Sequence, residues 1–365
     1  MSFTSLRNLQ IICLVCVALF ATNLQAQINP KDVKSYQWYT ANGKKVDYSE
    51  VIKSIEKRHK KNPKTVVLFG EYHDNPIAHW MELQITENLF QVDSSMVLGA
   101  EMFEADQQDA LNEYLKIMPS QNAEKQVPMG MGMGKDPQLS AFEKSAKLWN
   151  NFETDYLPLV DFAKEHRLKF IATNVPRRFA SLVYRKGAEK LYGLSKPSGT
   201  ANIIRYERSL EQDQKLAVDS LSWGKTAANF KPGDPFFPKC FLYDSTLKCY
   251  SDMMAMSGGH GGQNLPKSQA IKDASMAEGI YNNMPAKGIY IHYNGSYHSD
   301  NHQSIQWYLE QYNSGKTCIS AVQTTTTIVT ISTRTQTNVN LLDKENIGLA
   351  DFILVIPENM TRTYK

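Results

Sequence analysis

Short apolar runs, each ending in glycine or a polar residue and each followed by a segment with helical spacing, recur along this chain. Thr65-Val66-Val67-Leu68-Phe69 ends at Gly70, and a helix follows with Asn75 as cap, Pro76 in the first turn and Ile77, Met81, Ile85 and Leu89 on one face. The grammar repeats at Met96-Val97-Leu98-Gly99-Ala100, followed by a helix carrying Leu111, Tyr114, Leu115 and Met118. A long amphipathic segment from about Phe142 to Glu165 leads into Lys169-Phe170-Ile171-Ala172-Thr173 and a short helix near Phe179. A helix around Gln269–Asn282 precedes Gly288-Ile289-Tyr290-Ile291-His292-Tyr293, after which Ile305, Tyr308, Leu309 and Tyr312 mark another helix. Late strands are expected at Cys318–Thr325, Ile328–Thr333 and Phe352–Ile356.

Strands alternating with helices imply right-handed βαβ crossovers, and so an α/β fold with a central, largely parallel sheet flanked by helices. Two loop-rich insertions, near 119–139 and 194–267, interrupt the alternation; their Gly, Pro, Ser and Met content predicts elaborations of one domain, 27–365, rather than a second domain. The first holds Met129, Met131 and Met133 between glycines; the second holds Met253, Met254, Met256 and His260. Thioethers with an imidazole are soft copper ligands, but without an ordered scaffold around them loop filler is the favoured reading.

A hydrophobic content of 42% over 365 residues builds a large core, which excludes disordered and small disulfide-scaffold classes. With a net charge of +3, nothing points to nucleic acid. Arg7, the apolar run Leu9–Ala21 and the small residue Ala26 before Gln27 predict a cleaved secretory signal over residues 1–26, and thus a periplasmic or envelope location. A lipid anchor at Cys16 is disfavoured by the bulky Val15 before it. No transmembrane span is expected, since no later stretch approaches about 18 uninterrupted apolar residues. Cys240 and Cys249 lie close enough in sequence to suggest a disulfide in an oxidising compartment, leaving Cys318 as a buried thiol.

In open α/β sheets ligands bind beyond the carboxyl ends of the strands, so the residues directly after each apolar run carry the chemistry. The four ends supply Glu71-Tyr72-His73-Asp74, then Glu101, then Asn174-Val175-Pro176-Arg177-Arg178, then Asn294-Gly295-Ser296-Tyr297-His298. Each has a plain structural role open to it: Glu71 or Asp74 as a helix cap, Glu101 paired to an arginine, Asn174 as a turn former, His298 as a satisfied histidine. Their shared placement is what points to one rim.

The runs FGEYHDNPIAHW, LGAEMFEADQQ, the segment from Trp149 through Tyr156 to IATNVPRR, IKDASMAEGIY and YNGSYHSD resemble the ChaN-like haem-binding uptake proteins of the Tiki and erythromycin-esterase-like superfamily. The resemblance spans roughly Val66 to Leu309. It maps a G-E-x-H-D pattern onto Gly70, Glu71, His73 and Asp74, an N-x-P-R turn onto Asn174, Pro176 and Arg177, and a G-x-x-H turn onto Gly295 and His298. Ser296 and Tyr297 depart from the small residues usual in that last turn, so details of ligand binding do not transfer.

Two functions stay open at this point. The resemblance implies haem binding in iron uptake, with Tyr72, Tyr293 or Tyr297 as iron ligand, Arg177 or Arg178 on the propionates, and Asn174 in the site. The alternative is a hydrolase acting on a small-molecule or peptide ligand: His73, Glu101 and His298 would hold a divalent metal ion and Glu71 would deprotonate water, or Glu71 with His73 or His298 would act metal-free. A homodimer is an open arrangement for either.

Overall fold

The computed structural model describes residues 34–116, 136–198, 200–220, 234–256, 262–314 and 326–364. The predicted leader, Met129–Met133, His260 and the strand expected at Cys318–Thr325 lie outside them. In chain order the elements are β1 (Gln37–Thr40), β2 (Lys45–Val46), α1 (Tyr48–Lys61), β3 (Lys64–Glu71), α2 (Pro76–Val92), β4 (Met96–Glu104), α3 (Gln108–Leu115), α4 (Pro137–Ser145), α5 (Leu157–Glu165), β5 (Lys169–Asn174), α6 (Arg177–Lys186) and α7 (Ala188–Tyr192). They continue with β6 (Leu194–Ser198), β7 (Thr200–Glu207), α8 (Leu210–Ser220), β8 (Cys240–Asp244), α9 (Lys248–Met256), α10 (Leu265–Asn283), β9 (Gly288–Gly295), α11 (Ile305–Asn313), β10 (Thr327–Gln336) and β11 (Phe352–Pro357). Among the described residues no helix is long and apolar enough to cross a membrane.

The eight-stranded sheet runs β2-β1-β11-β10-β3-β9-β4-β5, with the six strands from β11 to β5 parallel. This is the expected α/β architecture, with helices on both faces. Side-chain alternation along β3 shows why both faces are apolar: Val67 and Phe69 join one core cluster with Met81, Ile85 and Leu89 of α2, while Val66 and Leu68 join another with Ala270, Ile271 and Ile280 of α10. The register sets Glu71 of β3 beside Gly295 of β9, and Ala100 of β4 beside Tyr293 of β9, so the candidate rim is built from neighbouring strand ends.

Four features differ from the sequence reading. The edge pair β1 and β2 runs antiparallel, carried by a segment too short to show periodicity. The amphipathic segment 142–165 is interrupted: α4 stops at Ser145, a wide turn spans Phe152–Tyr156, and α5 restarts with Pro158 in its first turn. Among its described residues the second insertion holds more regular structure than its composition suggests: β6, β7 and β8 form a three-stranded antiparallel sheet and Met253 packs against the second core cluster. The Cys240–Cys249 disulfide does not form. Cys249 is a free buried thiol whose pKa burial pushes up to about 12, while Cys240 is disulfide-bonded, and not to Cys249. Strand β8 explains this: five extended residues starting at Cys240 carry the chain about 13 Å away before the turn into α9.

Candidate functional site

Beyond the carboxyl edge of β3, β9, β4 and β5 lies an open cleft of about 430 Å³, whose lining includes His73, Glu101, Trp149, Asn174, Arg177, Lys272 and Tyr364. Four of the residues expected from strand ends, His73, Glu101, Asn174 and Arg177, therefore face one space. Glu71 and His298 stand directly behind them as bonded partners.

On the β3 side, Glu71 is buried and its Oε1 meets His73 Nδ1 at 2.6 Å while accepting the Tyr156 hydroxyl at 2.8 Å. His73 thus stands between Glu71 and the cleft, its ring edge-on to Trp149 at 4.7 Å. Gly295 is required beneath it: a Cβ there would meet His73 Cε1 and Nε2 at 2.9 Å. Burial works against the Glu71 charge, yet the neighbouring His79 charge and hydrogen bonds from Glu82 and His73 hold its pKa down at about 2. Burial lowers the His73 pKa, and the Glu71 bond and charge, joined by Glu101, outweigh it and raise it.

A second layer lies beneath Glu71. Asn75 caps α2 as anticipated, its Oδ1 accepting from the backbone N–H of Ile77 and Ala78, and this orients the first turn of the helix. One turn on, His79 Nδ1 lies 2.9 Å from Glu82 Oε2 and 3.4 Å from Glu71 Oε2. Burial and the Glu71 charge push the Glu82 pKa well above the usual carboxylate range.

On the β9 side, His298 Nε2 lies 3.2 Å from Glu101 Oε1 and its Nδ1 lies 2.5 Å from Asp273 Oδ1. Asp273 also accepts the Tyr250 hydroxyl at 2.8 Å, and Glu101 Oε2 accepts the Gly295 backbone N–H at 2.9 Å. All three charged groups are buried. Burial alone would lower the His298 pKa; Glu101 and Asp273 override it and lift it to about 10. Glu101 is held well below the usual range against burial by the His298 charge and hydrogen bond and by Lys272.

Other sequence-assigned residues are placed elsewhere. Tyr293 is fully buried, packed near Phe170 with its hydroxyl 2.5 Å from Thr86 Oγ1, because its position within β9 turns it onto the α2 face rather than toward the rim. Arg178 is turned from the cleft onto Asp106 and Asp234, with its guanidinium over Phe179. Tyr297 is 52% exposed and Tyr72 half-buried, and neither lines the cleft. The donor atoms of His73, Glu101 and His298 do not all come within 4.8 Å of one another; among the described residues that compactness belongs to Glu71, His79 and Glu82.

Asp273, His79, Glu82, Asp155, Lys272 and Tyr364 were missed from sequence, as none follows an apolar run. The buried polar pair His79 and Glu82, spaced i,i+3 on the inward face of α2, was the visible signal for one of these groups. Tyr364 arrives through a strap: Arg362 pairs with Asp74 at 2.6 Å, the Thr363 N–H donates to the Asp74 carbonyl at 3.0 Å, and the Thr363 hydroxyl donates to Asp155 Oδ2 at 2.6 Å.

No curated protein sequence matches the chain. Among solved structures, the cofacial haem complex of ChaN from Campylobacter jejuni is similar at 17% identity, with 88% of this chain and 97% of that chain covered and a TM-score of 0.48. An erythromycin esterase, EreC, in its open conformation is similar at 12% identity, with 82% and 77% covered and a TM-score of 0.39. The family model described as haem-binding uptake, Tiki superfamily, ChaN matches residues 59–309, a span that holds β3, β4, β5 and β9 with both histidine–carboxylate pairs, and the chain belongs to that family.

Proposed function

We propose that this chain binds haem in the strand-end cleft and serves in haem uptake after export. The carrying observation is the composition of the cleft wall: one imidazole aligned by a carboxylate, aromatic rings of Trp149 and Tyr364, and the cations Arg177 and Lys272 around one open space. That set suits a planar, largely apolar ligand with an anionic edge and an iron that takes a nitrogen or phenolate donor. His73 and Tyr364 are the candidate donors to iron, and Arg177 and Lys272 would neutralise the propionates. Bound haem would supply the redox-active iron centre; the chain's own part is to orient, hold and partly shield it. The export element of this reading rests on the leader-like residues 1–26.

Titration of haem-free protein with haem, followed by absorbance, tests the reading. Saturable binding is expected, with an altered spectrum in either His73→Ala or Tyr364→Phe. A linear, unsaturable titration overturns it.

One observation favours a second reading, metal-free hydrolysis. Glu71 is bonded to His73 and walled from the cleft, which makes His73 the group in reach of a bound water and Glu71 its orienting partner. Turnover abolished by His73→Ala, without any haem titration, would select that reading.

A further inference from the structure

Beneath the cleft, the His79 ring is held on both sides. Its Nε2 faces two acceptors, the His73 carbonyl at 3.2 Å and Asp155 Oδ2 at 3.5 Å, and its Nδ1 faces two carboxylate oxygens, so a ring with a single proton can keep it on Nε2. A neutral ring then presents the Nδ1 lone pair to Glu82 Oε2 at 2.9 Å and Glu71 Oε2 at 3.4 Å, three electron-rich atoms facing one another in a buried space. Something positive belongs between them, either a proton or a cation. Two independent features favour the cation. The spacing approaches the roughly 3.3 Å edge between donors that sit about 2.0–2.1 Å from a tetrahedral ion. Buried carboxylate oxygens without a hydrogen-bond partner also belong to this cluster, Glu71 Oε2 and Glu82 Oε1, each on a residue no more than 1% exposed.

We propose that Glu71, His79 and Glu82 hold a divalent first-row metal ion, zinc foremost, in a closed site beneath the cleft. One imidazole with two carboxylates suits zinc, with manganese as competitor. The Nε2–H directed at a carbonyl and a carboxylate is the outer arrangement that metal-bound histidines use to fix their tautomer. Because Glu71 also bonds His73 through its other oxygen, such an ion would anchor the carboxylate that aims the cleft imidazole. The site is distinct from the rim set His73, Glu101 and His298, and its readout does not depend on haem.

The test is metal analysis of the full chain, shown haem-free by absorbance, both as purified and after refolding with zinc chloride or manganese chloride. One equivalent of metal should survive gel filtration in the wild type, be absent from the near-isosteric Glu82→Gln and from His79→Ala, and persist in His298→Ala. Asp155→Asn should keep the ion with affinity weakened about 10–100-fold. If the wild type carries no metal as purified and takes up neither ion, a shared proton fills the cluster and the proposal fails. It fails equally if Glu82→Gln retains the ion or His298→Ala loses it; refolding of Glu82→Gln is checked by circular dichroism, and the wild-type result stands alone should that variant not fold.

Discussion

The two histidine–carboxylate groups at the sheet edge use the same residue types for different ends. His298 is clamped between Glu101 and Asp273, with its side chain 9% exposed, and the three buried charges lean mainly on one another, with Lys272 adding to the hold on Glu101. His73 has one carboxylate partner at bonding distance and a side chain 34% exposed to the cleft. The difference follows from the strand ends. After β9 the chain turns inward at Ser296–His298 and drives the imidazole against α10, whereas after β3 it runs outward before α2 begins. The first group is built to hold a fixed positive charge behind the rim; the second presents a ring to whatever enters.

The comparison breaks most severely at Asp273. Asp273→Ala leaves the His298 charge with Glu101 as its remaining carboxylate partner and orphans the Tyr250 hydroxyl, so a loss of about 3–5 kcal/mol is expected in chemical denaturation. His73→Ala should cost less than about 1.5 kcal/mol, because Glu71 keeps its bond from Tyr156. Equal losses would erase the distinction between the groups.

pH gives the second test. The His298 pKa is raised in the fold from 6.5 to about 10, by its contacts with Glu101 and Asp273. A raised pKa means that the folded state holds a proton the unfolded chain releases, so this stabilisation is complete below pH 6.5 and fades as the pH climbs toward 10. Between those limits stability should fall by up to about 1.4 kcal/mol per pH unit for this one proton. Denaturation midpoints across that window check it, and His298→Asn should flatten the slope.

What the sequence revealed follows the same division. The parallel strands and their helices were legible because each strand is a continuous apolar run, buried on both faces. Rim residues were legible because strand ends have a fixed relation to the ligand side of such sheets. The partners that decide what each rim residue does were not. Asp273, His79 and Glu82 sit inside helices, where one polar residue on a buried face looks like noise until the facing strand is known. Tyr293 was misjudged by treating a residue two places before the strand end as part of the rim, although side chains there alternate between the two faces. Tyr364 is brought in by a long-range strap that carries no local pattern.

A third, smaller effect is expected at Gly295, which lies between the two groups, with its N–H on Glu101 and its Cα beneath His73. An added methyl in Gly295→Ala meets the end of the His73 ring rather than backbone, so the ring shifts and the Glu71 bond lengthens. Overpacking of this kind costs about 1–3 kcal/mol. Haem affinity should therefore drop while the pH slope attributed to His298 stays as in the wild type; a change in that slope would show that the two groups are coupled through the glycine.

The smallest expected effect concerns the tyrosines favoured from sequence. Tyr297→Phe removes a hydroxyl from a half-exposed ring outside the cleft lining, and the haem spectrum and affinity should stay within error of the wild type. Tyr293→Phe removes the bond to Thr86 in the core, at a cost of about 0.5–1.5 kcal/mol in stability, and should likewise leave the spectrum alone. Tyr364→Phe is the informative contrast, since this phenol lies on the cleft wall and its pKa is raised by burial, and further by Asp74, Glu71 and Asp155. A raised pKa works against phenolate formation, so on the haem reading His73 would be the stronger donor to iron. If Tyr297→Phe rather than His73→Ala or Tyr364→Phe altered the spectrum, the turn after β9 would have to swing over the cleft on binding haem, and the division between a closed and an open group would belong to the ligand-free state alone.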